Sequence, residues 1–581
     1  MEVLELVIVI HLGLLGGLRS GQVEGKIVHT SSGMVQGFED AGTHQFLGIP
    51  FAEAPIGEHR FKRPVWKTRM PGTYNASYFR PRCPQMLVNN PIVDPNDKME
   101  EDCLYLNIYT PLDTSVTSPK TVMVWIHGGS FTMGSGQDYP GTMLALRNDV
   151  VVVNTNYRLG ALGFLSTMDD NAVGNFGLWD QTMALEWVKV NIAAFGGNPD
   201  SVTVFGESAG SASVTLLALS PFTEGLFRRV IAQSGSAFAS WSISPDPLKA
   251  SRDLGKRLGC PSATNEILIR CLRHQSVQDI VESQHLITPG NAFTAALGTE
   301  FLPFSPTELI TTHKNSTVAR KLAEVDFLIG QNTDEAASFF KPFLAPVLDA
   351  GELVDDFTGI SQKIFDTFMA NSLISYTQGD SNLAQKLVTP FTFMYTDWSD
   401  RQDGITRSEM LIKFLADSMF TVSVVQFARA HALLRQHWNT SAVSGSRTFM
   451  YLYDHRGSWM PMEPWRSGAD HADEIPFVFG LPLTGIIPNI TDEEKQLSDI
   501  LMRYWTNFAK TGDPNESAAG SRLVKWPRFE VGTERYLRLH TGMMSDSVGQ
   551  RVYNNRVEFW LDYLPKQMNI FQQEPIKIKC S

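Results

Sequence analysis

The segment Gly206-Glu207-Ser208-Ala209-Gly210 constrains this chain more than any other stretch of it. It follows the apolar run Val202-Thr203-Val204-Phe205 and precedes Ser211-Ala212-Ser213-Val214-Thr215-Leu216-Leu217, which reads as the start of a helix. A strand-to-helix turn this sharp leaves no room for a side chain at Gly206 or Gly210, and its strain lifts the serine oxygen above the sheet edge. The helix directs its positive N-terminal end at the same point, where an oxyanion would form. Ser208 is therefore the candidate nucleophile, on a fold that alternates strands with helices.

A serine hydroxyl needs a base to take its proton, and the chain offers 13 histidines. In α/β-hydrolases the partners follow in the order Ser, acid, His, each on a loop after a strand of one sheet. Val325 to Gly330 reads as a strand that runs into Gln331-Asn332-Thr333-Asp334-Glu335, a loop with two adjacent carboxylates. Thr448 to Tyr453 reads as another, and the loop beyond it carries Gly468-Ala469-Asp470-His471-Ala472-Asp473-Glu474. His471 is the candidate base. The residues alone do not choose between Asp334 and Glu335 as the acid.

Several further motifs accompany these segments: Glu101-Asp102-Cys103-Leu104-Tyr105-Leu106-Asn107, Trp125-Ile126-His127-Gly128-Gly129, Asn156-Tyr157-Arg158-Leu159-Gly160, and the run from His471 to Phe477-Val478-Phe479-Gly480. Together they resemble the type-B carboxylesterase and cholinesterase family, in order, from about residue 26 to about residue 565. The resemblance implies an α/β-hydrolase fold with a large, mostly parallel sheet flanked by helices. It places the acid on Glu335, so that Ser208, Glu335 and His471 form the triad. In that role Ser208 attacks an ester carbonyl, His471 takes and later returns the proton, and Glu335 fixes the imidazole tautomer. An ordinary histidine titrates near roughly 6.5, so the rate is expected to fall at acid pH. No cofactor or metal is called for.

The same resemblance assigns the oxyanion donors to the amides of Gly129, Ser130 and Ala209, with Ser130 standing where a third glycine is usual. It sets Trp241, Phe293 and Phe339 near the acyl pocket and gorge wall, and Glu207 beside the nucleophile. Cholinesterases hold a quaternary ammonium over an indole face, and the matching position here is Val93, within Pro91-Ile92-Val93-Asp94-Pro95-Asn96. The main expectation is accordingly a secreted serine carboxylesterase acting on small-molecule esters, with a cholinesterase as the alternative. A rival from another class is a neuroligin-like adhesion protein. Such proteins resemble this family and keep the sheet but lose the nucleophile.

Composition suits an extracellular globular protein. With 581 residues, 43% of them hydrophobic, the chain can bury a large core, and no linker or repeat divides it. The expected organisation is a signal peptide over residues 1–21, a single catalytic domain over 22–565 and a tail over 566–581. The net charge of −12 argues against nucleic acid as a partner. The apolar stretch Leu6 to Leu15 is short for a membrane span and reads as a secretory signal, although Glu2 and Glu5 replace its usual positive start. No membrane segment is expected after its removal. Asn75, Asn315, Asn439, Asn489 and Asn515 head candidate glycosylation sequons.

Of five cysteines, the resemblance pairs Cys83 with Cys103 and Cys260 with Cys271, each bridge being worth roughly 2 to 4 kcal/mol. Cys580 is left over, a candidate for a bond between chains or a free thiol. Thr491 and Glu494 are spaced as a capping box, and Ile500, Leu501, Tyr504, Trp505 and Phe508 continue as one apolar helical face. In the family, helices near the C-terminus form a dimer interface. That face, or Cys580, is thus a candidate homodimer contact, with packing on the chain's own sheet as the alternative.

Overall fold

The computed structural model describes residues 23–86, 97–288, 290–348, 358–377, 379–438, 445–460, 466, 468–515 and 523–573. The expected leader, Val93, Asn439 and Cys580 lie outside them. Thirteen strands form one mixed sheet: β1 Val23–Thr30, β2 Gly33–Asp40, β3 Thr43–Pro50, β4 Thr73–Asn75, β5 Tyr105–Pro111, β6 Lys120–Ile126, β7 Val151–Thr155, β8 Gly197–Glu207, β9 Arg229–Gln233, β10 Asp326–Asn332, β11 Thr448–Tyr453, β12 Arg535–Leu539 and β13 Val548–Gln550. Their spatial order is β1-β2-β3-β5-β7-β6-β8-β9-β10-β11-β12-β13, with β4 on β2. From β7 through β12 every neighbouring pair is parallel, and the antiparallel pairs gather at the two edges. This is the expected α/β-hydrolase architecture.

The central strands are apolar on both faces because both faces are covered. Alternation within each strand divides the residues between two cores. Val122, Val124 and Ile126 of β6 pack on one side with the helix Ala209–Leu219, whereas Met123 and Trp125 pack on the other with the helix Asp492–Thr511. The same split recurs in β10, with Phe327 and Ile329 on the first side and Leu328 on the second. A third cluster sits apart from the sheet, in helices between Ala337 and Ala416 joined by Phe559, Trp560 and Leu564.

The capping box at Thr491 and Glu494 is present. The apolar face behind it is not an open one: Leu501, Tyr504, Trp505 and Phe508 are fully buried within the chain's own second core. This corrects the dimer candidate on that face, because the side chains that would meet a second copy already cover β6 and β8. One helix among the described residues, Gly404–His437, is long and apolar enough to cross a membrane, and 67% of its most apolar window is buried inside the fold. It is a core helix here. Both expected disulfides are formed, with Cα separations of 5.0 Å for Cys83–Cys103 and 5.7 Å for Cys260–Cys271.

Candidate active site

The strands that carry the candidate residues lie side by side and present their carboxyl ends to one rim, the usual place for a site in an open parallel sheet. Ser208 follows β8 with φ 57° and ψ −119°, a sparsely populated conformation costing about 1–3 kcal/mol. What holds it is backbone contact. A Cβ at Gly206 would lie 2.6 Å from the Gly210 carbonyl carbon, and one at Gly210 would lie 2.0 Å from the Ile126 oxygen. The Ser208 N–H donates to Gln233 O at the end of β9, at 2.8 Å. Both glycines of the elbow are thus required by space.

The loop after β10 brings Glu335, and not Asp334, to His471. Glu335 Oε2 lies 2.6 Å from His471 Nδ1, and its other oxygen accepts the Asn332 N–H at 2.6 Å. Asp334 instead turns to the far side, where a Cβ on Gly468 would come 2.3 Å from its carboxylate. The His471 loop is itself braced: the His471 N–H donates to Asp470 Oδ1 at 2.8 Å, the Asp470 N–H to Asp473 Oδ2 at 2.7 Å, and Asn332 Nδ2 to the Asp470 carbonyl at 2.6 Å. Behind it Glu474 accepts from Asn332 Nδ2 at 2.7 Å and from Gln233 Nε2 at 2.9 Å, and Trp505 Nε1 donates to Gln233 at 2.9 Å. Asn332, Gln233 and Glu474 escaped the sequence reading because each is an ordinary polar residue at a strand end or loop.

The other nitrogen of the ring departs from the expected arrangement. His471 Nε2 lies 3.0 Å from Glu207 Oε1, and neither atom has a hydrogen-bond partner. Ser208 Oγ makes no hydrogen bond to it among the contacts of the described residues. Burial alone would lower the His471 pKa, but the carboxylates of Glu207 and then Glu335 raise it to about 10. Burial raises Glu207 to about 8, against the opposing pull of His471. The titration expected near 6.5 is therefore moved upward.

The turn after β6 runs against the elbow. Gly129 has φ +101°, and Ser130 and Phe131 follow at φ 56° and 60°, so three consecutive residues adopt positive φ. A Cβ at Gly128 would lie 2.7 Å from Glu207 O and 3.2 Å from Ser208 Cβ. Gly129 and Ser130 stand on this turn, and Ala209 begins the helix on the other side of Ser208. Ser130 is exposed.

Aromatic rings close over His471. Phe420 lies 4.4 Å from the imidazole and Phe339 5.5 Å, while Trp241 packs on Phe420 at 6.0 Å and on Phe131 at 6.5 Å. Trp241 and Phe339 thus belong to the aromatic group around His471, together with Phe420 and Phe131, which were missed. Phe293 is buried in the first core and makes no ring contact with this group. Among the sequons, Asn75, Asn315 and Asn489 are exposed, whereas half-buried Asn515 donates to Asp513 Oδ1 at 2.8 Å and Trp526 O at 3.0 Å.

The sequence profile of the carboxylesterase family matches residues 24–560. Neuroligin-2 of Mus musculus is 34% identical over 618 aligned residues, covering 96% of this chain and 69% of the relative. Neuroligin-2 of Homo sapiens gives the same identity and coverage. Neuroligin-3 of Mus musculus is 34% identical, covering 90% of this chain and 66% of its own length. These relatives correct the main functional expectation. Neuroligins match nearly the whole chain, so the reading as a secreted carboxylesterase, with its cholinesterase alternative, gives way to the rival class. Ser208, Glu335 and His471 are all present, with His471 Nε2 3.0 Å from the Glu207 carboxylate.

Proposed function

Because this chain belongs to the carboxylesterase family, and because neuroligins match it along nearly its full length, we propose that it is a neuroligin-like adhesion protein that recognises another protein outside the cell or at its surface. The observation that carries this reading is the 34% identity to neuroligin-2 over 96% of the chain. In keeping with it, His471 Nε2 lies 3.0 Å from Glu207 Oε1 and is not hydrogen-bonded to Ser208. In this reading Ser208, Glu335 and His471, with the amides of Gly129, Ser130 and Ala209, are retained architecture that holds the rim of the sheet together. Homodimerisation belongs to the same reading, through a surface other than the buried face of the helix Asp492–Thr511.

Two measurements test it together. Cells displaying this protein are mixed with cells displaying other extracellular domains, and selective aggregation that survives Ser208→Ala is the expected result. The purified protein is then treated with a fluorophosphonate probe, and labelling no greater than that of Ser208→Ala is expected. Labelling that Ser208→Ala abolishes, together with no aggregation partner, would overturn the proposal.

A further inference from the structure

The rings over His471 are tied to the helical segment that begins at Asn554. Between the α-helical segments Gly404–Ala416 and Val422–His437, residues Asp417–Thr421 form a π-helical turn, closed by the Val422 N–H donating to the Asp417 carbonyl. A π turn holds one more residue than an α turn. Relaxing it to a regular helix would swing the side chains beyond it by about 100° around the axis, so the turn is a discrete alternative and not a soft bend. Three of its residues touch the pocket. Phe420 packs on His471, the Met419 carbonyl accepts Trp241 Nε1 at 2.8 Å, and Thr421 Oγ1 accepts Gln331 Nε2 at 3.1 Å, from the strand that leads to Glu335.

What holds the turn is the carboxylate of Asp417, which is fully buried. It accepts the Tyr395 hydroxyl at 2.8 Å and Arg556 Nε at 2.6 Å. The Tyr395 oxygen in turn accepts Trp560 Nε1 at 2.6 Å. Arg556 and Trp560 come from the C-terminal helical segment, in which Asn554–Glu558 leads into a second π turn, Phe559–Tyr563, and then into Leu564–Gln573. A buried carboxylate stripped of such partners is costly, so the contacts act as a set.

We propose that Asp417 is a positioning residue that locks this π turn and thereby couples the C-terminal helical segment to the packing of Phe420 on His471. Whatever grips or displaces residues 554–573 then changes the aromatic pocket, and by reciprocity whatever fills the pocket changes the C-terminal segment. The coupling holds whether the protein's task is adhesion or another.

The test uses the full chain and a signal that stability alone does not move. The Nδ1 hydrogen of His471, in its short bond to Glu335, is expected to give a proton resonance far downfield of the amide envelope, identified by its loss in His471→Gln. Tyr395→Phe removes one donor and keeps the ring, and Trp560→Phe removes the indole donor and leaves a smaller aromatic ring in its place. Both are expected to shift that resonance and to speed amide hydrogen exchange at residues 417–422. Ser251→Ala is the control, since it removes a buried hydrogen bond to the Ser166 carbonyl at 2.7 Å in another part of the fold, and it is expected to change neither readout. An unmoved resonance in both folded ring variants would overturn the coupling, as would an equal shift in Ser251→Ala.

Discussion

The two nitrogens of the His471 ring meet different surroundings. On the Nδ1 side, Glu335 binds the ring with one oxygen and the Asn332 backbone with the other, and Asp470, Asp473, Glu474 and Gln233 extend the network through buried partners. On the Nε2 side stand one carboxylate at 3.0 Å without hydrogen-bond alignment and a serine whose hydroxyl makes no bond to the ring. The first side is fixed several times over. The second depends on where a single side chain points. The Nδ1 side ties the ends of β9 and β10 to the His471 loop whatever the Nε2 side does, so folding stability alone would keep these residues in place.

The largest test of that contrast removes the acid. Glu335→Ala leaves His471 and the Asn332 N–H without their buried partner, and a loss of about 3–5 kcal/mol is expected from denaturant unfolding. A loss below 1 kcal/mol would break the comparison. Asn332→Ala strips two donors from the same side, and about 1–3 kcal/mol is expected. A smaller effect is specific to pH. His471 has a raised pKa in the fold, so its contribution is fully present below the unfolded value near 6.5 and is lost as pH rises toward about 10. Glu207 is also raised, to about 8, so it acts in the same direction across its own range. The melting temperature should therefore fall between pH 6.5 and 10, and Glu207→Gln should flatten that slope, because Glu207 is the foremost group raising His471. The smallest expected effect is that of Ser208→Ala, within about 0.5 kcal/mol of the parent protein, since the Oγ makes no hydrogen bond to lose.

The elbow was legible in the sequence because backbone crowding demands glycine at Gly206 and Gly210, and few other structures impose that pair of demands on either side of a serine. The sheet was legible for a related reason, since runs such as Val202 to Phe205 belong in strands covered on both faces. Choosing Glu335 over Asp334 from the residues alone was beyond reach. Neighbours in a loop differ only in the direction they face, which here is settled by Gly468 and Ala469 meeting Asp334. Phe420 was hidden because a π turn inside a 34-residue helical run has no distinct composition. The apolar face around Leu501 and Trp505 has the same periodicity whether it meets its own sheet or a second copy. The approach of Nε2 to Glu207 was not legible either, since it leaves no trace in residue identity.

The order of the strands also bears on how the protein is made. Ser208 leaves the ribosome well before His471, and at ordinary rates of synthesis the interval is on the order of tens of seconds. During it the elbow and its buried Glu207 exist without the loop that meets them, next to a sheet whose β11 and β12 are still untranslated. A nascent chain of this topology thus displays an incomplete edge for a long time, and lesions at Arg556 or Trp560 are expected to reveal themselves first as a lower yield of folded protein.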